Sequence, residues 1–391
     1  MTAVKTGLEL FCESPPPSLK RQRIGLMCNP ASVDRGYTHA RERIRRAFPG
    51  QLKALFSPQH GFYAEKQDNM IESADRLDPI TGLPVFSLYG ETRVPTDAMM
   101  DSIDVMLVDL QDVGTRVYTF IYTLSYCMEA ARQYGKKIIV LDRPNPLGGI
   151  RVEGNLLVPD CSSFVGRYAI PMRHGLTIGE IALLFNTRFG IGCDLDVISM
   201  QGWKRAMTFG QTGLPWVAPS PNLPTPASAT VYPGQVIWEG TNISEGRGTT
   251  QPFELFGAPF LASDRLIEKI DARLLSGTVL RPVEFEPTSN KWAGYSCKGF
   301  QIHVTDPGIY SPYALSLAFY QAIYQAHPDR FTYNQAPYEY ETERLPMDLI
   351  LGDRQIRIQI EAGVPLSEII SGWEAALSAY TKVIENIQIY H

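Results

Sequence analysis

Between Ile103 and Thr119 the chain reads IDVMLVDLQDVGTRVYT, and its acids, amide and arginine are spaced for chemistry rather than for packing. A short apolar run, Val105 to Val108, stops at Asp109 and gives way to Gln111, Asp112 and Arg116. A buried parallel strand that delivers polar side chains at its carboxyl end reads in this way. Ligands of open α/β sheets sit in the crevice outside those ends, so this strand is expected to carry its polar residues to a site. A simpler reading has Asp109 or Asp112 cap the next helix, but one N-cap uses a single acid and accounts for neither Gln111 nor Arg116.

Four further apolar runs release into polar loops. Arg23–Cys28 ends on Asn29, Leu52–Phe56 leads to Gln59 and His60, Val85–Leu88 ends on Tyr89-Gly90, and Ile138–Leu141 ends on Asp142, Arg143 and Asn145. Helical patterns separate most of them, so the expected fold class is α/β, a Rossmann-like doubly wound parallel sheet, with one crevice collecting Asn29, Gln59, His60, Asp109, Gln111, Asp112, Asp142, Arg143 and Asn145. No G-x-G-x-x-G follows the first strand and no G-x-x-x-x-G-K-[ST] occurs, so a dinucleotide or ATP is disfavoured.

In the helix after this stretch, Tyr118, Tyr122, Ser125 or Tyr126, and Glu129 recur at steps of three and four. That spacing lays phenols and one carboxylate along a single face, either as a carbohydrate-contacting surface with an acid or with Glu129 simply reaching solvent. Thr177 and Glu180 fit a capping box before an apolar helix from Ile181 to Phe189, and His174 precedes the cap, free to face the crevice.

Gly210 to Gly234 holds six prolines and three glycines, a composition expected to be extended and poor in helix and to mark a boundary between domains 1–225 and 226–391. Soon after comes Glu239-Gly-Thr-Asn242-Ile-Ser-Glu-Gly-Arg247-Gly-Thr, too polar for core and richer in hydrogen-bonding groups than a linker needs, hence a binding loop. The remainder reads as a smaller α+β domain. Ala262–Leu275 and Pro312–Ala326 are expected as helices, Phe300–Thr305 and Gln355–Ile360 as strands, and Leu366–Ile387 as largely helical.

Composition narrows the function class. The chain has 391 residues, 44% hydrophobic and 20% charged, with a net charge of -5, which suits an enzyme-sized globular protein and not a nucleic-acid binder. No apolar run approaches the roughly 18 residues of a membrane span, and the first residues lack a signal-peptide pattern, so a cytoplasmic location is expected. The cysteines at 12, 28, 127, 161, 193 and 297 never form C-x-x-C, and no H-E-x-x-H occurs, so free thiols and no metal site are expected.

The motifs P-Q-H-G-F (Pro58 to Phe62), D-L-Q-D-V-G-T-R-V-Y-T (Asp109 to Thr119), L-D-R-P-N-P (Leu141 to Pro146), R-H-G (Arg173 to Gly175), S-P-N-L-P-T (Ser220 to Thr225) and E-G-T-N-I-S-E-G-R-G-T (Glu239 to Thr249) stand in one order along the chain. With these the chain resembles the YbbC/NamZ family (domain of unknown function 1343), typified by the exo-β-N-acetylmuramidases of glycoside hydrolase family 171. The resemblance implies a Rossmann-like N-terminal domain, a smaller C-terminal domain and an active cleft between them. It also implies release of N-acetylmuramic acid from the non-reducing end of peptidoglycan fragments, in cell-wall turnover or recycling, without metal or organic cofactor. Many relatives read P-E-H-G-F where this chain has Gln59, so an amide stands at the place of a family carboxylate, and Glu65 on the same loop is a candidate to replace it.

Glycoside hydrolysis uses two carboxyl groups, one as acid and one as nucleophile or base. The resemblance points to Glu129 with Glu239 or Glu65 as that pair. Around them Gln59, His60, Asp109, Gln111, Asp112, Arg116, Tyr118, Arg143, Asn145, His174, Asn222, Asn242 and Arg247 are expected to bind substrate, the arginines meeting a muramyl carboxylate bidentately. The alternative is a non-catalytic muropeptide-binding or sensor protein using the same cleft.

Overall fold

The computed structural model describes residues 4–68 and 70–391. Its strands are β1 (Ile24–Cys28), β2 (Leu52–Ser57), β3 (Arg76–Leu77), β4 (Pro84–Ser87), β5 (Val105–Asp109), β6 (Lys137–Leu141), β7 (Glu153–Leu156), β8 (Pro171–Arg173), β9 (Asp194–Ile198), β10 (Leu255–Ala258), β11 (Thr278–Phe285) and β12 (Cys297–Val304). Seven of them form one sheet in the order β3-β4-β2-β1-β5-β6-β9, parallel except where β3 joins β4.

Side chains alternate across a strand, and here both faces are apolar. Leu26, Leu107 and Ile139 pack into one core with Leu8, Phe11 and Ile44 from the helices Gly7–Glu13 and Ala40–Ala47. Met27, Met106 and Val140 face the other way, into a core with Ile121, Leu124 and Phe185 from the helices Phe120–Tyr134 and Ile178–Thr187. The expected doubly wound α/β sheet is therefore present. The chain grows leftward from β1 to β2 and β4, then resumes on the far side of β1 with β5, which makes the gap between β1 and β5 the topological switch point.

The second half builds a three-stranded antiparallel sheet, β10-β12-β11, against the helix Pro312–Ala326. Its aromatic centre, Trp238, Phe256, Phe300 and Phe319, belongs to the same apolar cluster as the helix Phe120–Tyr134.

Several local expectations change. Gly210–Gly234 is not wholly extended: Thr225 caps a helix, Pro226–Gln235, whose first residue is a proline, a position where the missing N–H costs nothing. Gln355–Ile360 lies in a helix, Arg354–Glu361, and not in a strand. Its Q-I-R-I-Q-I pattern satisfies a period of two, but the buried Ile356 and Ile360 are also an i,i+4 pair, and the Asp353 side chain accepts from the Gln355 amide to start the helix. Ala262–Leu275 breaks into the short helix Ser263–Ile267 and a tight turn, Ala272–Leu275.

The end of the chain returns to the sheet. The Tyr390 hydroxyl donates to Asp142 Oδ2 at 2.6 Å, and Thr177 Oγ1 donates to the same oxygen at 2.8 Å. Burial pushes the Asp142 carboxyl up to about 7 against these donors. An unfolded Asp ionises near ~3.9. The folded state thus holds the proton that the unfolded state has released between about pH 4 and 7, so this group's contribution weakens stability as pH rises through that window. Asp142→Asn should therefore flatten the dependence of Tm on pH between 5 and 8. Parallel Tm curves for parent and variant would show that Asp142 does not titrate there.

Candidate active site

The loop after β2 turns sharply because two successive residues, His60 (φ 75°) and Gly61 (φ 83°), are left-handed. The left-handed φ is what calls for glycine at position 61. His60 Nδ1 sits 2.8 Å from the Lys66 carbonyl oxygen, which can only accept, so that nitrogen carries the proton. Burial pushes His60 down to about 4, keeping the ring neutral near pH 7 with Nε2 as an acceptor.

Gln59, next to it, is buried and doubly engaged. Its Oε1 accepts from Thr119 Oγ1 at 2.6 Å, and its Nε2 donates to Glu339 Oε1 at 2.8 Å. The Tyr89 hydroxyl donates to the other oxygen, Glu339 Oε2, at 2.7 Å. Glu339 is 4% exposed and is followed by Tyr340, the two at φ 47° and 68°. Consecutive left-handed non-glycine residues are strained and persist only where the surroundings dictate them, commonly at functional sites.

Glu239 stands on the tight helical turn Val236–Gly240, which prolongs the helix Pro226–Gln235. Its Oε1 accepts from Arg247 Nη2 at 2.6 Å and its Oε2 from the Tyr338 hydroxyl at 2.8 Å. Arg247 Nε lies 3.1 Å from Glu245 Oε1, and Lys291 Nζ lies 2.7 Å from Glu245 Oε2. Burial, then the adjacent Glu239, raises the Tyr338 phenol well above its usual value, so its O–H remains a donor. The segment expected to be too polar for core is in fact buried at Glu239, Ser244, Glu245 and Arg247, because the charges neutralise one another.

These groups surround a small cavity of about 40 Å³. Gln59, His60, Tyr118, Asn222, Glu239, Arg247, Tyr338 and Glu339 line it. A second cavity of about 310 Å³, near the lower end of the roughly 300–1,000 Å³ of small-molecule sites, shares the Glu239, Arg247 and Tyr338 wall.

Of the residues expected at the site, Gln59, His60, Tyr118, Asn222, Glu239 and Arg247 come together here, and the others do not. Glu129 is 41% exposed and pairs with Arg167 at 3.0 Å, the solvent-facing reading of its helix position. Glu65 is 38% exposed, caps the Tyr63 amide and lies 3.5 Å from Arg76. Asp109 is matched by Arg143 in a buried bidentate pair at 2.5 and 2.8 Å. Asp112 accepts from His174 Nε2 at 3.2 Å, and Gln111 donates to the Asp112 and Pro144 carbonyls. Arg116 donates to the carbonyls of Asn155, Ile170, Ile350 and Leu351. Asn145 holds the Leu176 carbonyl and the Leu147 amide, and Asn242 holds the Arg330 carbonyl and the Thr332 amide. The carboxyl ends of β5 and β6 thus fill their own crevice with side chains that bond one another and the backbone, and the open space is left beside β2.

Sequence reasoning missed Glu339, Tyr338 and Tyr89. Glu339 is 280 positions from Gln59 in a loop without periodicity, and the only local hint is the run of aromatics and acids in Tyr338-Glu339-Tyr340-Glu341. Among the described residues, no group of three or more His, Cys, Asp or Glu side chains is placed to hold a metal ion.

Residues 24–227 match the family described as Exo-beta-N-acetylmuramidase NamZ, N-terminal, and residues 230–390 match its C-terminal counterpart. The chain is 42% identical over 387 residues to the peptidoglycan beta-N-acetylmuramidase NamZ of Bacillus subtilis, spanning 99% of this chain and 91% of that protein. A crystal structure of a DUF1343-family protein from Bacteroides fragilis shares 33% identity and a TM-score of 0.90 over 100% of both chains. A second one from the same organism shares 28% identity and a TM-score of 0.78 over 100% of this chain and 99% of the other.

Proposed function

The chain belongs to the NamZ family of exo-β-N-acetylmuramidases, and on that footing we propose that it is a glycoside hydrolase releasing N-acetylmuramic acid from the non-reducing end of peptidoglycan fragments. The observation that carries the reading is a pair of buried glutamates, Glu239 and Glu339, on one cavity lined also by phenols and a guanidinium. Glu239 is one of the two partners expected for Glu129, and Glu339 takes the place of Glu129 itself. Glu239, on the wall common to both cavities, and Glu339, on the first cavity alone, supply the two carboxyl roles of acid and nucleophile or base.

Gln59 and Tyr118 come from residues 1–225, and Glu239, Arg247 and Glu339 from 226–391, which supports a cleft between two domains at that boundary. The partner is a muramyl sugar or muropeptide. Six free cysteines, five of them buried, suit a reducing compartment and recycling of cell-wall fragments in the cytoplasm, which cell fractionation would test. No helix among the described residues is long and apolar enough to cross a membrane.

Incubation with nitrophenyl N-acetylmuramide and nitrophenyl N-acetylglucosaminide tests the assignment. Release from the muramide alone is expected, and equal release from both would remove the muramyl specificity. The amide at Gln59 favours one second reading, a muropeptide-binding protein, and tight binding without turnover on either substrate would establish it. Since no metal enters the proposed chemistry, exhaustive dialysis against EDTA should leave turnover intact. Loss of activity restored by zinc would contradict this.

A further inference from the structure

We propose that the turn carrying Glu339 is a lid, rooted in the C-terminal half and fastened by side chains to the N-terminal half, that lifts to admit a sugar ring, and that Arg93 is the positioning residue that seats it again through Tyr340. The inference rests on the hydrolase reading above, in which Glu239 and Glu339 act on one bond.

The need for movement is a matter of volume. The cavity on which both glutamates stand holds about 40 Å³, room for a few water molecules at roughly 10–15 Å³ each and far below the roughly 300–1,000 Å³ of small-molecule sites. The larger cavity is lined by Glu239 and not by Glu339, so a ring seated there meets one carboxyl.

The turn is built to move as a unit. Tyr338 and Glu341 exchange both backbone hydrogen bonds, at 2.8 and 2.9 Å, around Glu339 and Tyr340, which makes residues 338–341 a two-residue hairpin with positive φ at both central positions. Asn-Gly is the usual occupant of such a turn, whereas Glu and Tyr stand in it under strain that persists only where the surroundings impose it. Its roots hold to residues 226–391. The Asn334 amide donates to the Gly240 carbonyl at 3.0 Å and its side chain to the Glu239 carbonyl at 2.8 Å, and Leu345 leads into the helix Pro346–Leu351.

The tip holds to residues 1–225. Gln59 and Tyr89 donate to Glu339, and the Arg93 guanidinium lies 3.8 Å over the Tyr340 ring, whose centroid is 5.2 Å from that of Tyr89 and 5.8 Å from that of Phe164. Arg344 donates to the carbonyls of Asp160 and Ser162 at 2.7 and 2.9 Å. Each of these is a side-chain contact, so the tip parts from the N-terminal half without breaking a backbone ladder. Closing it over a bound ring returns Glu339 to the site and excludes water.

Trypsin reads the motion at the bond between Arg344 and Leu345, because the closed form grips Arg344. The full-length protein, Arg93→Ala, Arg93→Lys and Tyr340→Gly are digested under native conditions with and without N-acetylmuramic acid, and the fragment 345–391 is followed by mass. Arg93 is half-buried, so its removal leaves the core intact. The sugar should slow cleavage of the parent. Arg93→Ala should speed it by about two- to fivefold, the worth of one exposed cation–π contact, and Arg93→Lys should restore the parent rate. Tyr340→Gly separates lifting from fraying: it relieves one strained φ but removes the ring from its seat, so a turn that lifts is cut faster and one that frays in place is cut slower. Slower cleavage in Tyr340→Gly, an unchanged rate in Arg93→Ala, or one rate with and without the sugar would overturn the lid. Turnover of nitrophenyl N-acetylmuramide judges the hydrolase reading separately. A parent that hydrolyses it while cleavage ignores the sugar loses the lid, and one that hydrolyses nothing yet is protected by the sugar and answers to the variants keeps the lid and loses the enzyme.

Discussion

Glu339→Gln is expected to lower kcat on a muramyl disaccharide by about 10²–10⁴-fold, the usual size of a lost acid or base contribution. The substitution is nearly isosteric, and the amide oxygen still accepts one of the two hydrogen bonds that Gln59 and Tyr89 donate. Folding should therefore survive, and a Tm close to the parent's is the control that separates lost chemistry from lost structure. Glu239→Gln is expected to cost a similar factor in kcat, but it also leaves Arg247 and Tyr338 without their carboxylate, so its Tm should fall as well. Glu65→Gln and Glu129→Gln, both partly exposed and away from the cavity, should change kcat less than twofold. A collapse with Glu65→Gln and full activity in Glu339→Gln would return the catalytic role to the earlier candidate.

The second large effect is expected at Gln59, and its sign depends on pH. In this chain the Gln59 amide donates to Glu339, as a protonated carboxylic acid would, but it has no proton to transfer. Gln59→Glu places two carboxyls in one site, where like charges push one pKa up so that the pair shares a proton. While that proton is held, the geometry is kept and a transferable proton is added. Turnover of the disaccharide, whose leaving group needs protonation, should then rise by up to about 10²-fold at acidic pH, with a smaller change on the nitrophenyl substrate. Once the shared proton is lost, two carboxylates face each other and the gain should disappear. A pH profile of kcat on both substrates reads this directly. Identical profiles for parent and Gln59→Glu would mean that position 59 does not touch proton transfer.

The sheet was legible because its evidence is local. Each of the strands β1, β5 and β6 is built on a short apolar run, and burial on both faces permits no polar alternation, so residues such as Val105 to Val108 announce themselves. Capping was equally legible, since the Thr177–Glu180 box is written within four residues and closes as expected, with the Glu180 carboxylate 3.0 Å from the Thr177 amide. Where local signals conflicted, tertiary burial chose: Gln355–Ile360 is compatible with either period, and the core accepted its Ile356 and Ile360 from a helix.

The site divides along the same physical line. Sequence order alone brought Gln59, His60, Tyr118, Glu239 and Arg247 to attention, because motif-dense polar loops at strand ends are where function collects. It could not say which polar strand-end residues would be consumed by each other. Asp109 and Arg143 are 34 positions apart and Asp112 and His174 are 62 apart, and each pair closes as a buried hydrogen-bonded unit only when β5 and its neighbours are laid side by side. Nor could it supply Glu339, whose role comes from a contact spanning 280 positions between a strand-end loop and a strained turn near the end of the chain. Polarity and spacing determined the scaffold and the pool of candidates. Which carboxylates remain facing open space is a matter of partner geometry, and that exists only in the folded chain.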